Sequence, residues 1–164
     1  AATLAVLAPI PGQHLWDIGA GCGSISIEWM RSHPDCRATA VENREDRIGL
    51  IARNAIALGV PRLGIIDGEA TDVLDGLDAP DAIFVGGGAS IPGLVGRCVE
   101  ALPGRGRLVA NAVTLEGETA LAEFRTKHGG DLTRFSISRA EPVGAFTGWK
   151  PSMTVTQYSL VKSR

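Results

Sequence analysis

The chain has 164 residues, 45% of them hydrophobic and 21% charged, a balance that fills one core and excludes both a disordered chain and a membrane-spanning one. Its 16 basic and 18 acidic side chains leave a formal net charge of -2, which argues against nonspecific nucleic-acid binding, because that normally needs a basic face. Cys22, Cys36 and Cys98 are odd in number and widely spaced, so free thiols are expected, with neither a disulfide framework nor a metal site.

Taken in order, Ala1 to Leu7 is an apolar, helical-looking stretch without an initiator methionine, as expected of a piece of a longer chain. The apolar run Leu4 to Ile10 lacks the basic flank of a signal peptide and is interrupted by Pro9, so the cytoplasm is the expected location. Leu15 to Ile18 reads as a short buried strand and Ser24 to Ser32 as a helix, with Gly19, Ala20, Gly21, Cys22 and Gly23 as the turn between them. Such a turn brings main chain and unpaired helix N–H groups to an anion, and a carboxylate or a phosphate would both fit. Two features separate them. A dinucleotide fingerprint would place its last glycine at position 24, where Ser24 stands. Asp17 would repel a pyrophosphate but welcome an ammonium group, such as the one on the methionine part of S-adenosyl-L-methionine.

The second strand, Ala38 to Glu42, ends on an acid followed by Asn43, ahead of a helix from Glu45 to Leu58. An acid at that spacing accepts hydrogen bonds from ribose hydroxyls. Leu63 to Ile66 forms a third strand and Ala82 to Val85 a fourth, which runs into Gly86, Gly87 and Gly88; these glycines leave the main chain open to a ligand or to a transferred group. A helix from Ile91 to Leu102 follows, then a fifth strand, Arg107 to Ala112, and a helix from Leu115 to Lys127. Asn111, Thr114 and Glu116 either reach the cleft mouth or, for the last two, simply begin that helix. Beyond Gly129 and Gly130, Leu132 to Arg139 and Thr154 to Lys162 alternate as an antiparallel pair, joined by a long loop, Ala140 to Met153, that contains Pro142, Gly144, Gly148 and Pro151. His14, His33 and His128 fall near element edges and are expected on the surface.

This pattern is an α/β, doubly wound parallel sheet, expected as a single domain over residues 1–164. Five parallel strands closed by an antiparallel pair resemble the Rossmann-like, seven-stranded S-adenosylmethionine-dependent methyltransferases. That resemblance implies that Glu69 takes the adenine amine and the Ala70 N–H a ring nitrogen. The Asn/Asp-Pro-Pro-aromatic motif of many amino- and nucleobase-methylating enzymes is absent after the fourth strand, which weighs against a methyltransferase acting on RNA or protein. A cofactor-binding module without turnover is the other alternative.

Leu15 to Ser24, Ile83 to Gly88 and Asn111 to Glu116 together resemble the precorrin methyltransferase and decarboxylase domains of cobalamin biosynthesis, over nearly the whole chain. The resemblance implies methylation at carbon 15 of the macrocycle, decarboxylation of the carbon-12 acetate, and a homotetramer. It also implies a preceding domain that methylates carbon 5, with the present chain as the C-terminal part of a bifunctional protein. The family's Thr-Lys segment ahead of the first helix is not in this sequence. A substrate edged with carboxylates needs donors, and Arg134, Arg139 and Lys150 are candidates, with Gly87, Gly88, Asn111 and Glu116 at the cleft. Phe146 and Trp149 could cover the flat ring.

Overall fold

The computed structural model describes residues 1–163. Short apolar runs become strands here because neither of their faces meets water: every residue of β1 (His14–Ile18) and β4 (Ala82–Val85) is buried. Side chains alternate along them between two cores. Leu15, Ala82 and Phe84 join Leu7, Ile27, Trp29 and Ile51 on one face, whereas Trp16, Ile18, Ile83 and Val85 join Leu94, Leu108, Leu121 and Tyr158 on the other. The first face carries α1 (Ala2–Leu7), α2 (Ser24–Ser32) and α3 (Glu45–Ala57); the second carries α5 (Leu94–Ala101) and α6 (Leu115–His128). Thr114 caps α6 by accepting a hydrogen bond from Gly117 N at 3.2 Å, which fixes where the helix begins.

With β2 (Arg37–Glu42), β3 (Gly64–Asp67), β5 (Arg107–Ala112), β6 (Asp131–Phe135) and β9 (Val155–Val161), these strands form a seven-stranded sheet of order β3-β2-β1-β4-β5-β9-β6. The first five strands of that order are parallel, and β9 runs antiparallel to both β5 and β6. Strand order reverses between β1 and β4, the place where a ligand crevice opens at the C-terminal strand ends.

Five expectations are corrected. The supposed loop Ala140 to Met153 is mostly a hairpin, β7 (Ser138–Val143) with β8 (Phe146–Pro151), which forms its own two-stranded sheet. Val143 pairs directly with Phe146, and Gly144 at φ 60° supplies the left-handed residue that a two-residue turn requires. Pro142 and Pro151 are tolerated because both strands are edges. The segment Leu132 to Arg139 is consequently two strands, broken at Ser136 and Ile137. Pro92 and Gly93 delay α5 to Leu94, and a short helix, α4 (Ala70–Val73), appears where no element was expected. Finally, His14 is buried; its Nε2 lies 2.9 Å from Thr39 Oγ1, and burial pushes its pKa below the usual histidine value.

Thr156 pairs with Ala112, and Phe135 with Val155. The hairpin therefore leaves the sheet at the end where β5 stops, the same end as the crevice.

Candidate functional site

Gly19 to Gly23 forms the floor of the crevice. Ile18 and Asp17 point to opposite faces of β1, and the Asp17 side chain turns toward α2, where its Oδ2 accepts hydrogen bonds from Ser26 N at 3.0 Å and Ser26 Oγ at 2.5 Å. Its Oδ1 is buried without a protein partner. Burial, opposed by the two Ser26 bonds and reinforced by the nearby Glu42 charge, raises the carboxyl pKa to about 6. An almost completely enclosed carboxylate with a free oxygen suits a cation.

Glu42, at the end of β2, is also buried. Its Oε2 accepts from Gly21 N at 2.9 Å, while Oε1 accepts from Asn43 N at 3.2 Å and Arg44 N at 3.3 Å. The glycine loop is steadied further by Asn54 Nδ2, which donates to the Cys22 carbonyl at 2.9 Å, and by Ala20 N, which donates to Val41 O at 3.1 Å. Gly23, at φ 78°, is the N-cap of α2. The loop is thus fixed before any ligand arrives.

Above it lies a cleft of about 240 Å³. Of the residues expected at the cofactor, Gly19, Glu42, Asn43, Glu69, Ala70 and Gly86 line it, together with Gly87 and Gly88. Asp17, Ala20, Gly21, Cys22 and Gly23 lie in or beneath the adjoining loop. Asn43 Nδ2 donates to Glu69 Oε1 at 2.7 Å, so Asn43 orients the Glu69 carboxylate. Sequence reasoning missed Arg47, Ile91 and Leu94, which also line the cleft. Arg47 lies in the first turn of α3, with its guanidinium 3.6 Å from Glu42 Oε2. Ile91 was hidden by the expectation that it began a helix, although Pro92 and Gly93 behind it are a loop signal.

The substrate candidates spread more widely. Asn111 Nδ2 donates to Thr3 Oγ1 at 3.1 Å, and Gln157 Nε2 donates to Asn111 Oδ1 at 3.0 Å. The Asn111 amide therefore ties α1 and β9 to the end of β5. Glu116 is exposed in the first turn of α6. Arg134 pairs with Glu118, and Arg139 and Lys150 face each other across the hairpin, with Lys150 Nζ 2.9 Å from Glu141. None of these five lines the cleft. Among the described residues, no group of three or more His, Cys, Asp or Glu side chains could share a metal ion, and no helix is long and apolar enough to cross a membrane.

The chemistry of the donors fits S-adenosyl-L-methionine. Asp17 would hold the ammonium, Glu42 the ribose hydroxyls, and Glu69 with Ala70 N–H the adenine edge. Two carboxylates lining the cleft, with Asp17 buried beneath its loop, outnumber the one lining arginine and oppose a pyrophosphate. Sheet order, glycine loop and cleft define the methyltransferase class of Rossmann-like proteins.

Within that class, residues 1–162 match the family model described as "Precorrin methyltransferase domain", and the chain belongs to that family. It is 51% identical over 162 residues to a precorrin-6Y C(5,15)-methyltransferase [decarboxylating] of Sinorhizobium sp, covering 99% of this chain but 39% of the relative. The cobalt-precorrin-6B C(15)-methyltransferase (decarboxylating) of Salmonella typhimurium is 32% identical, over 87% of this chain and 76% of that one. The structure of the C-terminal domain of precorrin-6Y C5,15-methyltransferase from Rhodobacter capsulatus superposes with a TM-score of 0.90 at 44% identity, covering 99% of this chain and 87% of that domain. The chain thus spans about two fifths of the length of such two-activity relatives.

Proposed function

We propose that this domain methylates carbon 15 of a precorrin macrocycle from S-adenosyl-L-methionine and removes the carbon-12 acetate carboxyl as carbon dioxide, in cobalamin biosynthesis. The observation that carries the reading is the cleft between Glu42 and Glu69, which opens directly onto Gly86 to Gly88 in a chain of the precorrin methyltransferase family. When bound, S-adenosyl-L-methionine supplies an electrophilic methyl group on a sulfonium.

A ring carbon of a reduced tetrapyrrole is already electron-rich, so the site needs no strong base. Its work is orientation and exclusion of water. Glu42, Asp17 and Glu69 fix one reactant, while Gly87 and Gly88 let the flat macrocycle approach the main chain. Asn111 and Glu116 sit on the β5 side of that approach, and Arg134, Arg139 and Lys150 offer cations to the peripheral carboxylates. In methylation, the ring carbon's electron pair would take the methyl group, the macrocycle would release one proton to restore its conjugation, and the cofactor would leave as the neutral thioether. In decarboxylation, the bond to the carboxylate breaks, its pair enters the conjugated ring, and the side-chain carbon takes up a proton to become methyl. Incubating the domain with a precorrin that has a free carbon 15 and an intact carbon-12 acetate, plus methyl-labelled cofactor, should yield a product that has gained one labelled methyl and lost one carbon dioxide. A folded, cofactor-binding protein that leaves such a precorrin unchanged would overturn the reading.

Glu42→Ala removes a charged acceptor of two ribose hydroxyls, each bond to a charged group being worth about 1.5–3 kcal/mol. Calorimetry should show at least about a tenfold loss of S-adenosyl-L-methionine affinity. Unchanged affinity would remove Glu42 from the ribose.

The reading includes a cytoplasmic homotetramer joined to an N-terminal carbon-5 methyltransferase domain. The hairpin supports self-association: Phe146 is 80% and Trp149 77% exposed on its two opposite faces, and an isolated two-stranded sheet is marginally stable in water. Sedimentation should show a tetramer for the wild type and smaller species for a Phe146→Ser/Trp149→Ser variant. A monomeric wild type would exclude the tetramer.

A further inference from the structure

The wall that would read adenine is short of local support. α4 is one turn long, its N-cap Glu69 makes no side-chain capping bond, and at its start Asp72 N and Val73 N close back on Glu69 O. A single turn does not hold itself in water, because nucleating it fixes several residues for very few hydrogen bonds. Two outside groups hold it from the β2 side: Gly68 N donates to Glu42 O at 3.2 Å, and Asn43 Nδ2 to Glu69 Oε1 at 2.7 Å. Both act upstream of Ala70; downstream, Leu74 is buried in the second core with Val73 and Leu77 packed against it, an apolar contact that leaves the α4 carbonyls to be fixed by a polar partner.

Arg97 supplies that polar anchor. It reaches across from α5, its Nη1 donating to the Thr71 carbonyl at 2.5 Å and its Nη2 to Asp75 Oδ1 at 2.9 Å. The planar fork spans both the start and the exit of α4, which a lysine could not do. Asp75 is 90% exposed, so that ion pair is screened by water. The bond to the Thr71 carbonyl, adjacent to Ala70 and part-buried, is the one that fixes position.

We propose that Arg97, which does not itself line the cleft, is a positioning residue for base recognition: by holding the Thr71 carbonyl it sets the Ala70 N–H and the Glu69 carboxylate at the separation that accepts adenine and rejects hypoxanthine. The inference rests on reading the cleft as the S-adenosyl-L-methionine site. Hypoxanthine presents a carbonyl where adenine has its amine, and a ring N–H where adenine has a bare nitrogen. It would therefore set acceptor against carboxylate and donor against N–H. Discrimination of this kind collapses when the two protein groups are free to move apart.

The test measures calorimetric affinities of the domain for S-adenosylhomocysteine and S-inosylhomocysteine. Wild type should prefer the adenosyl compound by about 100-fold. Arg97→Ala should weaken the adenosyl compound about tenfold and barely affect the inosyl one, so that the preference shrinks. Arg97→Lys, which keeps one donor, should fall between the two and serves as the comparison if the alanine variant does not fold. Asp75→Ala should change neither affinity more than about twofold. An unaltered preference in both Arg97 variants, or equal weakening of both compounds, would overturn the assignment. Failure of wild type to bind S-adenosylhomocysteine would instead overturn the cleft reading beneath it.

Discussion

Asp17→Asn is expected to abolish S-adenosyl-L-methionine binding while leaving the ligand-free domain at least as stable as wild type at pH 8. Asp17 is enclosed, and its pKa rises from 3.8 to about 6. Because the folded value lies above the unfolded one, the folded state takes up a proton as pH falls from about 6 toward 3.8. The stability this confers is complete below the unfolded pKa and is lost as pH rises through the folded one. Above pH 6 the domain therefore carries an ionised, half-satisfied carboxylate at a cost of about 3 kcal/mol, taking 1.36 kcal/mol per pKa unit. An asparagine oxygen can still accept from Ser26 N and Oγ, and its amide adds an unpaired donor where Oδ1 now lies, so a net gain of about 1–2 kcal/mol is expected. Thermal melting at pH 8 measures it, and a lower melting temperature in the variant would show that the charge holds the fold.

The same carboxylate sets a pH dependence. A bound ammonium favours ionised Asp17, so binding below pH 6 must first displace a proton. Wild-type affinity should fall by about tenfold for each pH unit below about 6. A flat wild-type profile between pH 5 and 8 would detach Asp17 from the ligand.

Burial on both faces explains why the strands around the crevice could be read directly. β1 and β4 are uninterrupted apolar runs, and Gly19, Gly21 and Gly23 all adopt positive φ between a strand and a helix, so local chemistry and tertiary position agree. The hairpin had no such signal. Its strands are exposed on both sides apart from two half-buried residues, so no inward-outward alternation marks them, and Pro142 and Pro151 argue for loop unless edge position is known. Asn111 shows a different limit. Its partners Thr3 and Gln157 are 108 and 46 residues away, and nothing near Asn111 in the chain announces them. Arg97 is similar: a lone arginine on an amphipathic helix reads as a solvated charge until the fold brings Thr71 beneath it.

Gly19→Ala should be the most damaging single methyl in the site. Gly19 has φ 69°, and a Cβ there would lie 2.8 Å from Gly87 N and 2.9 Å from Gly87 Cα. Neither loop can yield, because Gly86 N at 2.8 Å and Gly87 N at 3.4 Å both donate to the Ile18 carbonyl, which ties the β4 end to the residue before Gly19. Left-handed strain of about 1–2 kcal/mol and overpacking of about 1–3 kcal/mol then add. For a domain of this size the melting temperature should fall by about 5–15 °C, and cofactor affinity should fall with it as the two glycine loops part. Gly21→Ala separates these effects. Gly21 has φ 62°, but a Cβ would meet nothing within 4 Å, so only the strain of about 1–2 kcal/mol remains. The open space at Gly21 is where the methionine part of the cofactor would approach, so this variant should melt only a few degrees below wild type yet bind S-adenosyl-L-methionine about tenfold more weakly. Equal melting temperatures for the two variants would show that the contact between the β1 and β4 loops does not shape the site. Unchanged affinity in Gly21→Ala would move the ligand away from that part of the loop.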